Sequence, residues 1–348
     1  MTFKFIQVIL KPVVSIIICC LFTSSLFAQH DSLILKNGDV IVGEIKSLSK
    51  GVITIETDYS KNDFTIEWSG IKKIYSKSHF LITLKDGTRI NGSFQSIDTS
   101  KKINIDGTNG ETMTASLEEI VYLKGIKSQF WSRLYGNIDL GLSLSKANNL
   151  SQFSTRSALG YLADKWQLAG YYNDTRSKQD SIADTKRTES GISFTYFLPN
   201  DWYIFTSINT LANTEQALKL RFSGKLGGGK FFVHTNKATF GAGGGLQYNG
   251  ETFTNNTEKR SSLEGFAGFQ ANLFDIGDFS LLTDIYIYKS FTESGRWRSD
   301  FKLDSKYKLP HDFYIKLSGT VNYDNRPAII GNEVDFVTSF SVGWELNK

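Results

Sequence analysis

Cysteine is almost missing from this 348-residue chain: the two present, Cys19 and Cys20, are adjacent and lie in an apolar N-terminal segment. If that segment is removed, the mature chain has no disulfide, no thiol nucleophile and no cysteine metal site. Histidine is scarce as well, and His30, His79, His234 and His311 include no pair at metal-ligand spacing. With four prolines in all, little interrupts extended strands. No stretch after the N-terminal segment reaches the roughly 20 apolar residues of a membrane helix, and mean hydropathy is only -0.22. A formal charge of +4 is too mild for this length to suggest a nucleic-acid partner. A phosphate loop is missing too: Gly227-Gly228-Gly229 is followed by no helix, so it reads as strand flexibility or close packing.

The N-terminus, in contrast, is rich in signals. Residues 1–28 combine a basic start (Lys4, Lys11), an apolar run from Val13 to Leu21 and a small residue at Ala28. That is the pattern of a secretory signal peptide, with cleavage expected between Ala28 and Gln29. The rival reading is a lipoprotein signal ending at Cys19 or Cys20. Ile18 stands where such a signal needs a small residue, which disfavours it.

Residues 29–126 contain an internal repeat. Leu35-Lys-Asn-Gly-Asp-Val-Ile-Val-Gly43 returns as Leu84-Lys-Asp-Gly-Thr-Arg-Ile-Asn-Gly92, 49 residues on, and the same offset superposes Phe64–Trp68 on Met113–Leu117. Asn37-Gly38 and Asp86-Gly87 sit between β-prone runs and read as tight hairpin turns. The expectation is two small SH3-like or Sm-like β units, about 33–78 and 81–124. No stacked aromatic platform for single-stranded nucleic acid is visible, so the domain reads as a periplasmic spacer or protein-contact module.

From residue 127 to the end, polar and apolar residues alternate. Trp297, Phe301, Leu303, Tyr307 and Leu309 share one face of an extended segment, and Arg298, Asp300, Lys302, Asp304, Lys306 and Lys308 share the other. Twelve such stretches can be marked, at about 134–145, 151–163, 165–174, 187–198, 201–212, 217–230, 237–249, 259–273, 277–291, 296–309, 312–324 and 333–346. Short links (Asp164, Pro199-Asn200, 231–236, Asp275-Ile276, Pro310-His311) alternate with long polar ones, including 174–186 and 250–258. An even strand number with short turns at one end and long links at the other is the pattern of a transmembrane barrel, its apolar face toward lipid. Trp131, Trp166, Trp202 and Trp344 fall near the short-turn end and Trp297 near the other, as interface aromatics do. The fold expected is therefore all-β: an antiparallel outer-membrane barrel of about twelve strands behind a small periplasmic repeat domain.

Alternation turns Arg156, Lys219, Arg221, Lys225, Arg298, Lys302, Lys306 and Lys316 inward, with Asp284, Asp300, Asp304 and Glu345 among the acids opposing them. These are candidate pore-lining residues. The competing reading makes the same charges a salt-bridged filling of a closed barrel. A hydrolytic site is not expected: His30 and His79 precede the barrel, and His234 and His311 fall in short turns as exposed polar residues. No enzyme activity, cofactor or metal is expected.

The segment Gly136-Asn-Ile-Asp-Leu-Gly-Leu142, the closing Ser341-Val-Gly-Trp-Glu-Leu346 and the overall layout resemble the DUF481 family, whose members are often labelled salt-induced outer-membrane proteins. The Ser25-Leu-Phe-Ala-Gln29 junction resembles signal peptides of the Bacteroidetes. The resemblance implies an outer-membrane location and carries over no catalytic residue. Expected partners are outer-membrane lipid and lipopolysaccharide, the barrel-assembly machinery during biogenesis, and a periplasmic protein for residues 29–126. Two functions stand: a narrow pore for small solutes or ions, biased toward anions, or a closed structural or adhesive barrel acting through its outer loops and periplasmic domain.

Overall fold

The computed structural model describes residues 31–97, 102–126, 133–146, 149–180, 182–214, 218–254, 259–326 and 333–344. The leader expected at residues 1–28, Trp131 and Glu345 lie outside them. The described elements are β-strands and single 3-10 turns, gathered in two antiparallel sheets.

The first sheet holds β1 (Asp31–Leu35), β2 (Val40–Ser49), β3 (Val52–Glu56), β4 (Phe64–Glu67), β5 (Ile71–Leu84), β6 (Arg89–Ser96), β7 (Lys102–Gly107), β8 (Thr112–Ser116) and β9 (Ile120–Gly125). Its hairpins turn where Asn-Gly and Asp-Gly are placed: Gly38 and Gly87 take φ of +97° and +80°, the left-handed region such turns require.

The repeats do not make two separate units. The first part of β5 pairs with β1, its second part pairs with β6 and β9, and β9 also reaches β2. A strand shared by both repeats forces a shared core. Leu33, Ile45, Leu48, Ile53 and Ile55 of the first repeat bury against Phe94, Ile103, Ile105, Ile120 and Leu123 of the second. Trp68 Nε1 donates to the carbonyl of Leu117 at 2.8 Å, and these two residues are equivalent under the 49-residue repeat. The repeats thus meet through matching positions, as two halves of one folded body.

The second sheet is a twelve-stranded meander in which each strand pairs with the next in sequence. It comprises β10 (Leu134–Ser145), β11 (Leu150–Leu162), β12 (Trp166–Gln179), β13 (Ile182–Phe197), β14 (Trp202–Asn213), β15 (Leu218–His234), β16 (Ala238–Phe253), β17 (Lys259–Ile276), β18 (Phe279–Ser290), β19 (Trp297–Lys308), β20 (Phe313–Asp324) and β21 (Val334–Trp344). Among the described residues no ladder joins β10 to β21.

The link read at 174–186 is mostly strand, and strand runs into the 250–258 link as far as Phe253. β12 and β13 continue pairing through Thr175↔Arg187, Arg176↔Lys186 and Ser177↔Thr185, and β16 with β17 through Glu251↔Arg260 and Thr252↔Lys259. Both faces are polar there, so alternation vanishes while backbone pairing persists.

Inward aromatic residues recur directly opposite glycines. Tyr135 faces Gly160, Tyr171 faces Gly191, Phe205 faces Gly227, Tyr203 faces Gly229, Tyr286 faces Gly268 and Tyr314 faces Gly343. Each ring lies over the space a Cβ would occupy, which shields the glycine backbone and fixes the ring. A Cβ on Gly229 would stand 2.6 Å from the Tyr203 ring and 2.7 Å from the Ala242 carbonyl, and the latter cannot swing aside. Gly229→Val is therefore expected to cost about 1–3 kcal/mol by overpacking. Urea unfolding of the refolded protein measures it, and an unchanged midpoint would refute close packing as the reason for this glycine.

The repeat body packs on the short-turn end of the larger sheet. Arg89 Nε donates to the Asp164 carbonyl at 2.7 Å, and its guanidinium lies 4.0 Å from the Phe197 ring centre. Asn236 Nδ2 donates to the Ile120 carbonyl at 2.6 Å, and Leu81 and Ile126 bury against Leu162. Burial pulls the Arg89 pKa down to about 10, still far above neutrality, so the contact is a charged one. Arg89→Ala is expected to loosen the junction by about 1–2 kcal/mol, since it removes a charged hydrogen bond and a cation–π contact. The readout is faster amide exchange in the 162–165 and 197–202 turns of the intact protein; unchanged protection there would show that Arg89 does not hold the junction.

Candidate functional site

The ladders fix which side chains share a face of the large sheet. On β10, Ile138, Leu140, Leu142 and Leu144 are 69–75% exposed, and Phe336, Phe340 and Val342 on β21 are 61–67% exposed. Ile192, Leu226, Leu246 and Ile287 continue this apolar face. Trp166, Trp202, Trp297 and Trp344 all belong to it. The Trp344 indole donates to the His311 carbonyl at 3.1 Å, while the ammonium groups of Lys230 and Lys289 lie over Trp202 and Trp297 at 5.3 and 5.1 Å. Charges on this face, such as Arg176, Lys230, Lys259 and Lys289, stand toward strand ends. Such a continuous exposed apolar surface demands a cover other than water.

The opposite face divides in two. On β14, β15, β17 and β18 the rings of Phe231, Tyr203, Phe205, Phe266 and Tyr288 follow one another at centroid distances of 5.2–6.2 Å. Gly227, Gly229 and Gly268 provide the room. Around β19 and β20 the face is more open: Lys302 and Lys316 are exposed, and Asp284, Asp304 and Lys306 are half-buried. Lys306 stands directly opposite Lys316, and Asp284 opposite Lys302. The Lys306 ammonium lies 4.4 Å from the Tyr314 ring centre. Tyr314 therefore shares the face of these charges.

Toward the long-link end, the inner face closes around a cavity of about 200 Å³ lined by Asn209, Arg221, Lys225, Gln247, Tyr288, Arg298 and Asp300 among others. Its floor is a polar network anchored on Glu264, which is 1% exposed. Glu264 accepts from Ser262 Oγ at 2.9 Å, from Asn249 Nδ2 at 3.2 Å and from the Arg298 guanidinium. Asn249 Oδ1 in turn accepts from Ser223 Oγ at 2.7 Å and Gln247 Nε2 at 2.8 Å. Around the rim, Arg221 pairs with Glu251 at 2.7 Å, Arg260 with Glu293 at 2.7 Å, and Arg296 with Glu293 and Asp324 at 3.0 and 2.6 Å.

Of the inward charges expected from the sequence, the structure gathers Arg221, Lys225, Arg298 and Asp300 at this cavity. Arg156 is exposed on β11 between Asp139 and Asn173, and Lys219 is exposed near the start of β15; neither joins it. Asp284, Lys302, Asp304, Lys306 and Lys316 form the open β18–β20 group. Sequence reading passed over Gln247, Asn249, Glu264, Arg260, Glu293 and Arg296. The alternation of Arg260, Ser262 and Glu264 against Ser261, Leu263 and Gly265 already marked three polar residues on one face of β17.

His234 corrects an expectation. It is no free turn residue: Nδ1 donates to Asp201 Oδ1 at 2.8 Å, and the ring lies 5.5 Å from Phe231, joining two neighbouring short turns. Among the described residues no three His, Cys, Asp or Glu side chains gather as a metal-binding set. No described helix is long and apolar enough to cross a membrane, which leaves strands unaddressed.

The profile of a family described as "Protein of unknown function, DUF481" matches residues 138–345, covering the large sheet from β10 onward. No curated protein matches the chain.

Proposed function

The chain belongs to the DUF481 family, and from that premise we propose that its twelve-stranded sheet closes as an outer-membrane barrel that forms a narrow, anion-favouring passage for small solutes or ions. In this reading the exposed apolar face meets lipid and lipopolysaccharide after delivery by the barrel-assembly machinery. The signal peptide is removed, and the repeat body stands in the periplasm, where it meets a protein partner. The protein works without catalysis.

The observation that carries the reading is the open half of the inner face. Lys302 and Lys316 stand exposed on it, on neighbouring strands, as cationic groups that water and anions can reach. Lys302 and Lys316 make no ion pair among the described residues. One observation favours the second reading, a closed barrel acting through its outer links and periplasmic domain: the aromatic chain from Phe231 to Tyr288 fills the other half of the interior.

Single-channel recording of the refolded mature protein in a planar bilayer decides between them. Discrete steps with anion selectivity in a salt gradient are expected. The double change Lys302→Glu and Lys316→Glu should reverse the sign of the reversal potential. A correctly folded, inserted protein that never conducts would overturn the pore and leave the closed barrel.

A further inference from the structure

The contacts of the repeat body run from one side of the short-turn end to the other. Leu81 and Ile126 bury against Leu162 beside the β11–β12 turn, and Arg89 reaches the Asp164 carbonyl in that turn. Arg89 also covers the Phe197 ring at the end of β13, and a Cβ on Gly87 would run into the Asp201 backbone in the β13–β14 turn. A Cβ on Gly51 would stand 2.7 Å from the Asn236 carbonyl oxygen, in the β15–β16 turn. The Lys50 ammonium lies 5.6 Å from the ring centre of Phe274, near the end of β17. The β11–β12 and β17–β18 turns are six strands apart in a meander of twelve. In a closed barrel that is half the circumference, so a body touching both ends of this arc lies across the mouth rather than beside it.

The faces agree. Leu162 follows two residues after Gly160, which stands opposite the inward Tyr135, and Phe197 stands opposite the inward Tyr203. Both therefore belong to the inner face. A spacer hung outside the rim would touch the other face, where Trp166 and Trp202 stand.

The junction is also built to part. Its apolar portion is Leu81, Ile126 and Leu162 with Tyr122 beside them, far less than the core inside the repeat body. The polar contacts around it are incompletely matched: Arg89 Nη2 on one side and Asn236 Oδ1 on the other are buried without a hydrogen-bond partner among the described residues. Water satisfies both atoms once the surfaces separate, which offsets part of the cohesion of the docked state. Between two bodies of one chain, so small and polar a contact leaves relative motion as the rule.

We propose that the repeat body is a lid seated in the mouth of the barrel, and that its parting from the short turns is what opens the lumen. The proposal rests on the closed-barrel reading above, since an open sheet has no mouth to cover. It gives the repeat body a task beyond that of a spacer and sets the control of the passage at the end opposite the long links.

The test uses the refolded mature chain, which has no cysteine of its own, with Thr195→Cys as a reporter. Thr195 lies two residues deeper than Phe197 on the same face, with Phe205 directly opposite and the aromatic chain behind it, so a water-soluble maleimide reaches it from the short-turn mouth. Arg89→Glu sets a carboxylate against the Asp164 carbonyl, and Asn236→Asp sets one against the Ile120 carbonyl. Each loosens the junction from its own side and leaves both cores untouched. Each is expected to speed labelling by about tenfold or more and to raise the mean current in a planar bilayer by about threefold or more, with faster amide exchange in the 162–165 and 197–202 turns. Faster exchange with unchanged labelling would overturn the lid, because the body would have parted without uncovering the lumen. Unchanged exchange in both variants would overturn it as well, by showing a junction that does not part. Should one variant fail to fold, the other, altered on the opposite side, decides. Labelling and current together separate the lid from the pore: faster labelling in a protein that never conducts retains the lid and sinks the passage, while equal labelling with equal current in parent and variants sinks the lid and keeps the passage.

Discussion

Replacing Glu264 by Gln is expected to destabilise the large sheet by about 3–5 kcal/mol, more than any other single change to its inner face. Two charged or amide donors, Arg298 and Asn249 Nδ2, converge on the same Glu264 oxygen, while Ser262 occupies the other. A glutamine keeps one acceptor and turns the second into a donor. With its oxygen toward Arg298 and Asn249 its Nε2 can donate to Ser262 Oγ, so the hydrogen bonds survive, but a mostly buried guanidinium loses its counter-charge. The penalty of an uncompensated charge then dominates the modest net value of the pair itself. The measurement is the urea midpoint of the refolded protein, together with the Glu264→Gln and Arg298→Met double change. The double variant should recover part of the loss, because it removes the stranded charge along with its partner. A single variant as stable as the parent would mean that water, not Glu264, compensates Arg298.

How much of this was legible beforehand divides along physical lines. Strand number and register were readable wherever one face is apolar, because period-two alternation then survives in the side chains. Trp297 to Leu309 shows it best, and β19 runs from Trp297 to Lys308. Strand ends were misread where alternation stops, as at Arg176 and Lys186, since polar residues on both faces leave backbone pairing without a side-chain trace. The hairpins at Gly38 and Gly87 were legible because only a few residue types take positive φ. That the two repeats share β5 was not: local sequence specifies strands, while the choice between pairing within a repeat and across repeats is made by which arrangement buries Leu33, Phe94 and Leu123 together.

The candidate site follows the same rule. Alternation told which charges share the polar face of the sheet, and so grouped Arg221, Lys225, Arg298 and Asp300. It could not tell that β15 to β19 bring them to one cavity while Arg156 and Lys219 stay apart, because height along neighbouring strands depends on register accumulated across several ladders. Uncharged partners were harder still. Gln247 and Asn249 resemble any polar inward residue until Glu264 fixes the direction of each amide. The triple glycine of β15 carried a signal read only halfway: strand flexibility or close packing was expected, but its cause, aromatic rings directly across the ladder from Gly227 and Gly229, needs the pairing.

In the repeat body the largest effect is expected from Asp31→Ala, at about 3 kcal/mol, because this fully buried carboxylate satisfies three donors at once. It accepts from the Ile45 backbone N–H at 2.9 Å, from Ser78 Oγ at 3.0 Å and from Ser76 Oγ, tying β1 to β2 and β5. The two hydroxyls can rotate toward other acceptors, but the Ile45 N–H cannot. The pH dependence carries a definite sign. Burial raises the Asp31 pKa above the ordinary 3.8, outweighing the three hydrogen bonds that pull the other way. Between the unfolded and the folded pKa the native state holds more protons, so the stability contributed by Asp31 is full below about 3.8 and declines as pH rises through the raised folded value. The stability gap between parent and Asp31→Ala should therefore be widest in acid and narrow toward a constant, still positive value at neutrality. Amide exchange of β2, β3 and β7 in the intact protein, taken as a parent-to-variant ratio at each pH, cancels the intrinsic pH dependence of exchange. A gap that widens with pH instead would show that the hydrogen bonds from Ile45, Ser76 and Ser78 outweigh desolvation, and that Asp31 is held as a stabilised carboxylate.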